Sequence, residues 1–331
     1  MKTPNFAGHL QRFFTDRLLG QLGASPHTVS SYRDTFRLLL KFTSKICRRP
    51  ASALNVEDLD VKLVGSFLKH LEQERRNSVR SRNNRLSAIH AFFAQVCLND
   101  PALARHCQQV LAIPFKRYER GPVEFLTSEE TAALLKAPDL TTWLGRRDQV
   151  LLQLAVQTGL RNSELTQMQR QHVQLGTGAH VRCLGKGRKA RCTPLRADVA
   201  AHLSGWLAEQ CQDPNTPVFP TAMGKPMSSD ALQRLVSRHV KTAAKVCPSL
   251  AGKKVTPHTL RHTTAMDLLR RGVDITVIAL WLGHESIETT QMYLHADMAI
   301  KEKALARANK SNLPPKRYRP TDHLLAFLES L

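Results

Sequence analysis

The chain has 331 residues, of which 42% are apolar, which indicates a globular protein with enough length for one large domain or two smaller ones. Lysine and arginine outnumber aspartate and glutamate by 48 to 27, and the resulting charge of +21 favours a polyanionic partner. No apolar run approaches the length of a membrane span and residues 1–5 do not open a signal peptide, so we expect a soluble, cytoplasmic protein without membrane contact.

Both the first 110 residues and the remainder carry an excess of basic side chains, which favours a polyanion held between two bodies. Nucleic acid is therefore the leading partner. The seven cysteines are scattered and form no CxxC pair, so we expect reduced thiols and no zinc site.

Residues 1–112 predict a helical domain. Ser25 and Pro26 are suited to the N-cap and first position of one helix, Asp60 can cap a second, and a third begins at about Ser78. Five arginines lie on the expected outer face of the third helix or just before it: Arg75, Arg76, Arg80, Arg82 and Arg85. A solvated charged face would explain such a run, but the lack of any acid among these residues favours contact with phosphates.

Residues 113–125 predict a basic linker that contains Lys116 and Arg117 and is punctuated by proline and glycine. A second domain is expected over 126–310, beginning with a capping box at Thr127. Its first long apolar helix should be buried and should stop at Gly159.

Between His180 and Leu195 the pattern predicts a short β-hairpin with a basic turn that carries Lys186, Arg188 and Lys189. The expected fold class is therefore mainly α with a small β-sheet, an α+β arrangement.

Arg161 stands at the start of a helix, with Glu164 three residues on and able to hold its guanidinium. An arginine beside helix N-terminal amides makes a favourable anion site, although an exposed salt bridge would produce the same pattern.

Thr256 and Pro257 begin another helix, on which His258 and Arg261 share one face and can grip phosphate oxygens. The neighbouring His262 is expected to point elsewhere and to pack.

Asp274 caps a further helix that ends at Gly283, and His284 follows directly. Ser286 can then start the helix that carries Tyr293. Tyrosine is an unusual nucleophile that needs cationic groups around the phosphate it attacks.

This ordered set resembles the tyrosine recombinase (phage integrase) family, which includes the Xer recombinases. The resemblance implies catalytic roles for six residues and a supporting role for Glu164. The six are Arg161, Lys186, His258, Arg261, His284 and Tyr293. Lys189 is the alternative for the lysine role.

The resemblance also implies a helical core-binding domain, a mixed catalytic domain and a site-specific DNA recombinase. Such an enzyme cleaves and rejoins strands through a 3′-phosphotyrosyl link and needs no cofactor or metal. Its partner would be double-stranded DNA with specific sites, bound by a homotetramer or heterotetramer at the nucleoid. The basic residues named above, from Arg75 to Lys189, would contact that DNA. The alternatives are a type IB topoisomerase-like activity and a DNA-binding accessory protein without catalysis.

Residues 311–331 form a tail in which Thr321 and Asp322 can cap an amphipathic helix. This helix could pack on its own domain or dock on a neighbouring subunit, and both remain open. The tail raises the question of a mobile-element integrase rather than a housekeeping Xer protein. We expect no additional arm-binding domain before residue 25.

Overall fold

The computed structural model describes residues 6–119, 121, 123–184, 190–284, 286, 288–291 and 293. The chain divides into two compact units, Met1–Gly121 and Pro122–Leu331, and each has its own apolar core. The predicted fold class, mainly α with a small β-sheet, is confirmed. Within the described residues, no helix has the length and apolar character needed to cross a membrane.

The first unit is helical, and its helices begin where the sequence predicts. The side chains of Ser25, Asp60 and Ser78 each accept a hydrogen bond from the backbone amide three residues on, at 3.2, 2.7 and 3.2 Å. The helices are α1 (Phe6–Arg12, continued by a π-helical segment Phe13–Gln21), α2 (Pro26–Cys47), α3 (Val61–Gln73), α4 (Val79–Asn99) and α5 (Ala104–Leu111).

The core of the first unit is rich in phenylalanine. Phe36 of α2 and Phe92 of α4 meet edge to face with ring centroids 5.2 Å apart, and Phe13 contacts both rings at 6.1 and 5.6 Å. Each such pair contributes about 0.5–1.5 kcal/mol beyond the burial of its area. These contacts hold α2 and α4 together.

The predicted outer-face position of Arg82 is wrong. The residue is 6% exposed, and its Nη1 donates to the Pro114 carbonyl at 3.1 Å. The reason is helical spacing, because Arg82 lies four residues before Leu86, on the stripe of α4 that faces the core. The adjacent Asn83 holds the Lys116 backbone through bonds of 2.8 and 3.2 Å. Arg82 and Asn83 therefore fix the segment that follows α5.

The other basic residues predicted to contact DNA differ in accessibility. Arg75, Arg76, Arg80 and Arg117 are exposed, whereas Arg85 is half-buried. The ammonium of Lys116 is exposed but forms an ion pair with Glu72 at 2.6 Å. The exposed arginines remain available to a polyanion.

The second unit combines a helical core with a small antiparallel sheet of strand order β1-β2-β3. The strands are β1 (Val173–Gln174), β2 (His180–Leu184) and β3 (Ala190–Pro194). The helices are α6 (Ser128–Lys136), α7 (Trp143–Thr158), α8 (Asn162–Thr166), α9 (Ala197–Ala208), α10 (Ser229–Ala243), α11 (Pro257–Arg270), α12 (Ile275–Leu282) and α13 (Glu288–Gln291).

The two strands of the predicted hairpin are present, with Val181 opposite Thr193, and β1 adds an edge strand that the sequence pattern did not reveal. The predicted turn residues Lys186, Arg188 and Lys189 lie outside the described residues, as does the predicted C-terminal helix in 311–331.

Helix α7 runs through the core and ends at Gly159, as predicted. Gly159 has φ +63°, and a Cβ there would lie 2.6 Å from Cδ2 of Leu282 at the end of α12. Both the left-handed backbone and the close approach therefore require glycine. The consequence is that the carboxyl ends of α7 and α12 meet.

Candidate active site

An open cavity of about 500 Å³ lies where α8, α11 and the end of α12 come together. Its lining includes four of the predicted catalytic side chains: Arg161, His258, Arg261 and His284. These residues are separated by up to 123 positions in the sequence, and the fold brings their side chains into one cavity. Lys186 lies outside the described residues, and Tyr293 is buried and is not part of the lining.

Local signals place each of these side chains. Thr256 Oγ1 accepts the Thr259 amide at 3.1 Å and starts α11, which sets His258 and Arg261 one turn apart. Arg161 is the N-cap residue of α8. Gly283 ends α12 with φ +66°, and the chain turns there into His284.

Arg261 fixes the centre of the site. It is 2% exposed, and its guanidinium donates to the Gly159 and Leu282 carbonyls at 2.7 Å each. These carbonyls end α7 and α12, where a cation is favoured by the helix dipoles. Burial, followed by repulsion from Arg161, lowers the pKa of Arg261 to about 10, so the group stays charged at neutral pH.

The carboxylate of Glu164 accepts hydrogen bonds from two arginines. The Arg161 guanidinium donates to Oε1 at 3.0 Å and the Arg161 amide to Oε2 at 2.7 Å. Arg191 of β3 binds the same carboxylate in a bidentate manner, at 2.8 and 2.7 Å. Burial alone would raise the pKa of Glu164, but the hydrogen bonds from Arg191 and the Arg161 amide, with the attraction of both guanidinium groups, bring it below the ordinary value.

The sequence-based interpretation missed Arg191. Its side chain is 12% exposed and its Nε also donates to the Trp281 carbonyl at 3.2 Å, so it joins the sheet to the end of α12. The strand alternation offered a signal: Thr193 is buried, and Arg191, two residues earlier, therefore faces the same side. An inward arginine in a strand requires an acidic partner.

Tyr293 is 2% exposed, and its hydroxyl lies 2.8 Å from Nδ1 of His262. The expectation that His262 points elsewhere is therefore wrong. The His262 ring contacts His258 at a centroid distance of 4.2 Å, and the Tyr293 ring is stacked near His284 at 6.5 Å. Because His258 lines the cavity, the tyrosine lies one ring behind its wall.

Within the described part of the chain, α13 ends at Gln291, and the Tyr293 amide bonds the Thr290 carbonyl at 3.0 Å in the turn beyond it. The tyrosine therefore follows the short helix, whereas the sequence predicted a helix that carries it.

Tyr293, His262 and His284 are neutral at pH 7. Burial raises the pKa of Tyr293 to about 12. Burial, followed by the positive charges nearby, lowers the pKa values of His262 and His284 to about 4. His284 is held by a 2.7 Å hydrogen bond between its Nδ1 and the hydroxyl of Thr290.

The site as a whole is suited to an anion. The guanidinium groups of Arg161 and Arg191 bind the one carboxylate of Glu164, and Arg261 adds a third positive charge, so the site has excess positive charge. Arginine donors can grip the oxygens of a tetrahedral phosphate. Among the described residues, no cluster of three or more histidine, cysteine or acidic side chains could hold a metal ion.

The sequence matches two family models. The phage integrase family model covers residues 124–299, and the model of the phage integrase N-terminal SAM-like domain covers residues 11–97. The chain therefore belongs to the phage integrase family, the tyrosine recombinases, and the predicted enzyme class is confirmed.

Three similar proteins illustrate the range of the family. The "Putative integrase/recombinase y4rC" of Sinorhizobium fredii is 52% identical over 330 residues, which cover 100% of this chain and 99% of that protein. Tyrosine recombinase XerC of Pelobacter propionicus is 31% identical and covers 90% of this chain and 95% of its own length. The solved structure of XerH site-specific recombinase bound to palindromic difH substrate shares the fold, with a TM-score of 0.66, 21% identity and coverage of 86% of this chain and 81% of that chain.

Proposed function

We propose that this tyrosine recombinase cuts and rejoins double-stranded DNA at specific sites, with Tyr293 as the nucleophile. The observation that carries the proposal is the cavity that gathers Arg161, His258, Arg261 and His284 in front of the buried tyrosine. Tyr293 Oη would attack a phosphodiester, forming a 3′-phosphotyrosyl link and releasing a 5′-hydroxyl. Because the energy of the diester is kept in the new link, religation would need neither nucleotide nor metal.

The cationic side chains stabilise the charge that develops on the phosphorane. Arg161 is 29% exposed, so its guanidinium is open to the cavity while Glu164 and the Gly283 carbonyl hold it in place. Arg261 supplies a buried positive charge, and the two histidines add hydrogen bonds to phosphate oxygens. Losing one such donor typically costs about 3–4 kcal/mol of transition-state stabilisation.

The buried phenol implies a movement on DNA binding. Tyr293 is behind the cavity lining, so the turn that carries it has to shift before Oη reaches a phosphorus atom. The ring centroids of Tyr293 and His284 are 6.5 Å apart and His284 lines the cavity, which makes a short displacement sufficient.

The test of the nucleophile is a covalent protein–DNA adduct on a nicked suicide substrate. Tyr293→Phe should abolish the adduct because the attacking oxygen is gone, while the control Tyr318→Phe should keep it. An adduct that survives Tyr293→Phe would refute the assignment. Relaxation of any supercoiled plasmid without strand exchange would favour the topoisomerase-like alternative instead.

We assign the general acid for the departing 5′-oxygen to Lys186, with Lys189 as the alternative. Support comes from Arg191, which binds Glu164 from the start of β3, the strand that follows residues 185–189 in the chain. A lysine among cations has a lowered pKa, which is suited to proton donation.

A bridging 5′-phosphorothiolate substrate distinguishes the two lysines, since a thiolate leaves without a proton. Lys186→Ala should slow cleavage of ordinary DNA by about 10²–10⁴-fold and should cleave the sulfur substrate at nearly the wild-type rate. Lys189→Ala should cleave both substrates normally. If the sulfur substrate rescues Lys189→Ala instead, the acid is Lys189.

Beyond the cavity, basic side chains on α10 and just after its end provide a path for the DNA backbone. Gln233 lines both the cavity and a neighbouring groove, in which Arg234, Lys241 and Lys245 are exposed. We propose that phosphates flanking the cleaved one follow this groove, and that the exposed arginines near α4 contact the DNA from the first unit. We further propose recombination-site DNA bound by a tetramer, with the enzyme acting at the nucleoid in the cytoplasm.

A further inference from the structure

We infer that His262 is the general base of the cleavage reaction, accepting the proton of Tyr293 as its oxygen attacks phosphorus. The inference rests on the proposed function, and it assigns a role to a side chain outside the set of motifs that predicted the site. It starts from the 2.8 Å contact between Nδ1 of His262 and the phenol oxygen.

The direction of this hydrogen bond follows from the chemistry of the pair. A buried phenol that is neutral at pH 7 carries an O–H that needs an acceptor. His262 Nδ1 is the acceptor that the described residues place at that oxygen. Burial, then electrostatic repulsion from His258 and Arg261, lowers the pKa of His262 to about 4, so the ring is neutral and its Nδ1 lone pair can accept.

The position of His262 couples the base to the anion site. Its ring packs on His258, which lines the cavity, and it lies next to Arg261 in sequence on α11. A phosphodiester bound in the cavity brings a negative charge that opposes the positive field on His262. Substrate binding therefore raises the proton affinity of the base at the stage when a proton has to be taken.

The step balances as a transesterification. The bond between Tyr293 Oη and phosphorus forms while the phenolic proton passes to Nδ1 of His262, giving an imidazolium. The bond between phosphorus and the 5′-oxygen breaks, and that oxygen takes a proton from the acid assigned to Lys186. Religation runs the same transfers in reverse, so no external oxidant, reductant or cofactor is needed.

The rate of adduct formation on the suicide substrate, measured in a single turnover, tests the base. His262→Ala and His262→Gln should slow cleavage by about 10²–10³-fold, within the range that general bases contribute. Both variants should keep the wild-type affinity for DNA, and the glutamine variant retains a polar group if alanine loosens the helix. The matched control is His202→Ala, which removes an exposed histidine of α9 and should leave the rate unchanged.

A second readout separates proton acceptance from packing. Site-specific incorporation of 2,3,5-trifluorotyrosine at position 293 makes the phenol more acidic and reduces its need for a base. The replacement should recover at least about tenfold of the rate in His262→Ala and change the rate with His262 intact much less. Exogenous imidazole, which fits the space left by the ring, should also restore part of the rate.

Three outcomes would overturn the inference. The first is a cleavage rate for both His262 variants within about threefold of the wild-type rate. The second is cleavage by these variants that is faster than wild type, which would show that the hydrogen bond restrains the tyrosine. The third is a slow rate that neither the fluorinated tyrosine nor imidazole improves, which would make the role structural. If the wild-type protein forms no Tyr293-dependent adduct, the proposed function itself fails, and the inference fails with it.

Discussion

Arg191→Ala should destabilise the second unit far more than the loss of a surface ion pair. The substitution removes two charge-assisted hydrogen bonds to Glu164 and one to the Trp281 carbonyl. The carboxylate, whose side chain is 4% exposed, is left with Arg161 as its remaining guanidinium partner.

The expected magnitude follows from this burial. Removing one partner of a buried ion pair costs about 3–5 kcal/mol, since a charge is left without full compensation. Because Arg161 still donates to both carboxylate oxygens, through its guanidinium and its backbone amide, the lower end applies, and we expect a loss of about 3 kcal/mol. For a unit of this size about 2–4 °C corresponds to 1 kcal/mol, so the unfolding midpoint should fall by about 6–12 °C.

Calorimetry of the full chain measures this difference. The matched control is Arg196→Ala, which removes an ion pair with Asp198 whose side chains are 61% and 55% exposed, and such pairs contribute about 0–1 kcal/mol. Arg191→Lys keeps the charge without the bidentate geometry and should fall between the two. A loss for Arg191→Ala no greater than that of the control would refute the reasoning.

The pH dependence gives an independent signature. The pKa of Glu164 is lowered in the folded protein, so its contribution to stability is present above the unfolded pKa of about 4.3 and is lost as pH falls through the folded pKa. Without Arg191, burial dominates and the folded pKa of Glu164 should rise. The stability difference between wild type and Arg191→Ala should therefore shrink as the solution is acidified from pH 7 towards pH 4. A difference that is constant over this range would contradict the ionic origin of the effect.

Two further predictions concern the site and its DNA path. Gly159→Ala should lower the free energy of unfolding by about 2–4 kcal/mol, because a left-handed alanine costs about 1–2 kcal/mol and the steric overlap with Leu282 adds a similar amount. The control Gly205→Ala, at an open position of α9, should raise the free energy of unfolding by about 1 kcal/mol. Equal effects of the two substitutions in thermal unfolding would contradict the argument. Replacing Lys241 and Lys245 by alanine should reduce the slope of log affinity against log salt concentration by about 0.9 per lost phosphate contact. The control Lys136→Ala on α6 should leave this slope unchanged. An unchanged slope for the double variant in a DNA titration would show that DNA phosphates do not follow the groove beside α10.

Much of the fold follows from local rules that act within a few residues. Ser25, Asp60 and Thr256 cap helices because a short polar side chain can accept the amide three residues on, and this needs no tertiary partner. Gly283 ends α12 because glycine adopts positive φ without a steric penalty. The hairpin strands likewise follow from alternation and a glycine-flanked turn.

Errors arose where packing between distant segments decided the outcome. Arg82 belongs to a run of arginines that a composition argument places in solvent, but the helical phase of α4 turns it inward. There its Nη1 donates to a carbonyl 32 residues further along the chain. The sequence predicted only a packing role for His262, because its hydrogen-bond partner, Tyr293, lies 31 residues further along the chain. Arg191 could not be linked to Glu164 without the fold that brings β3 against α8.

The sequence by itself determined the order and type of the chemical groups, and therefore the family, because its motifs occupy contiguous stretches whose local structure they specify. The tertiary structure decided which of these groups line the same cavity and that the phenol of Tyr293 is hydrogen-bonded to His262. It also decided that two arginines bind the carboxylate of Glu164. The physical reason is range: capping and turn energies act between neighbours in the chain, whereas burial and ion pairing depend on which distant segments exclude water together.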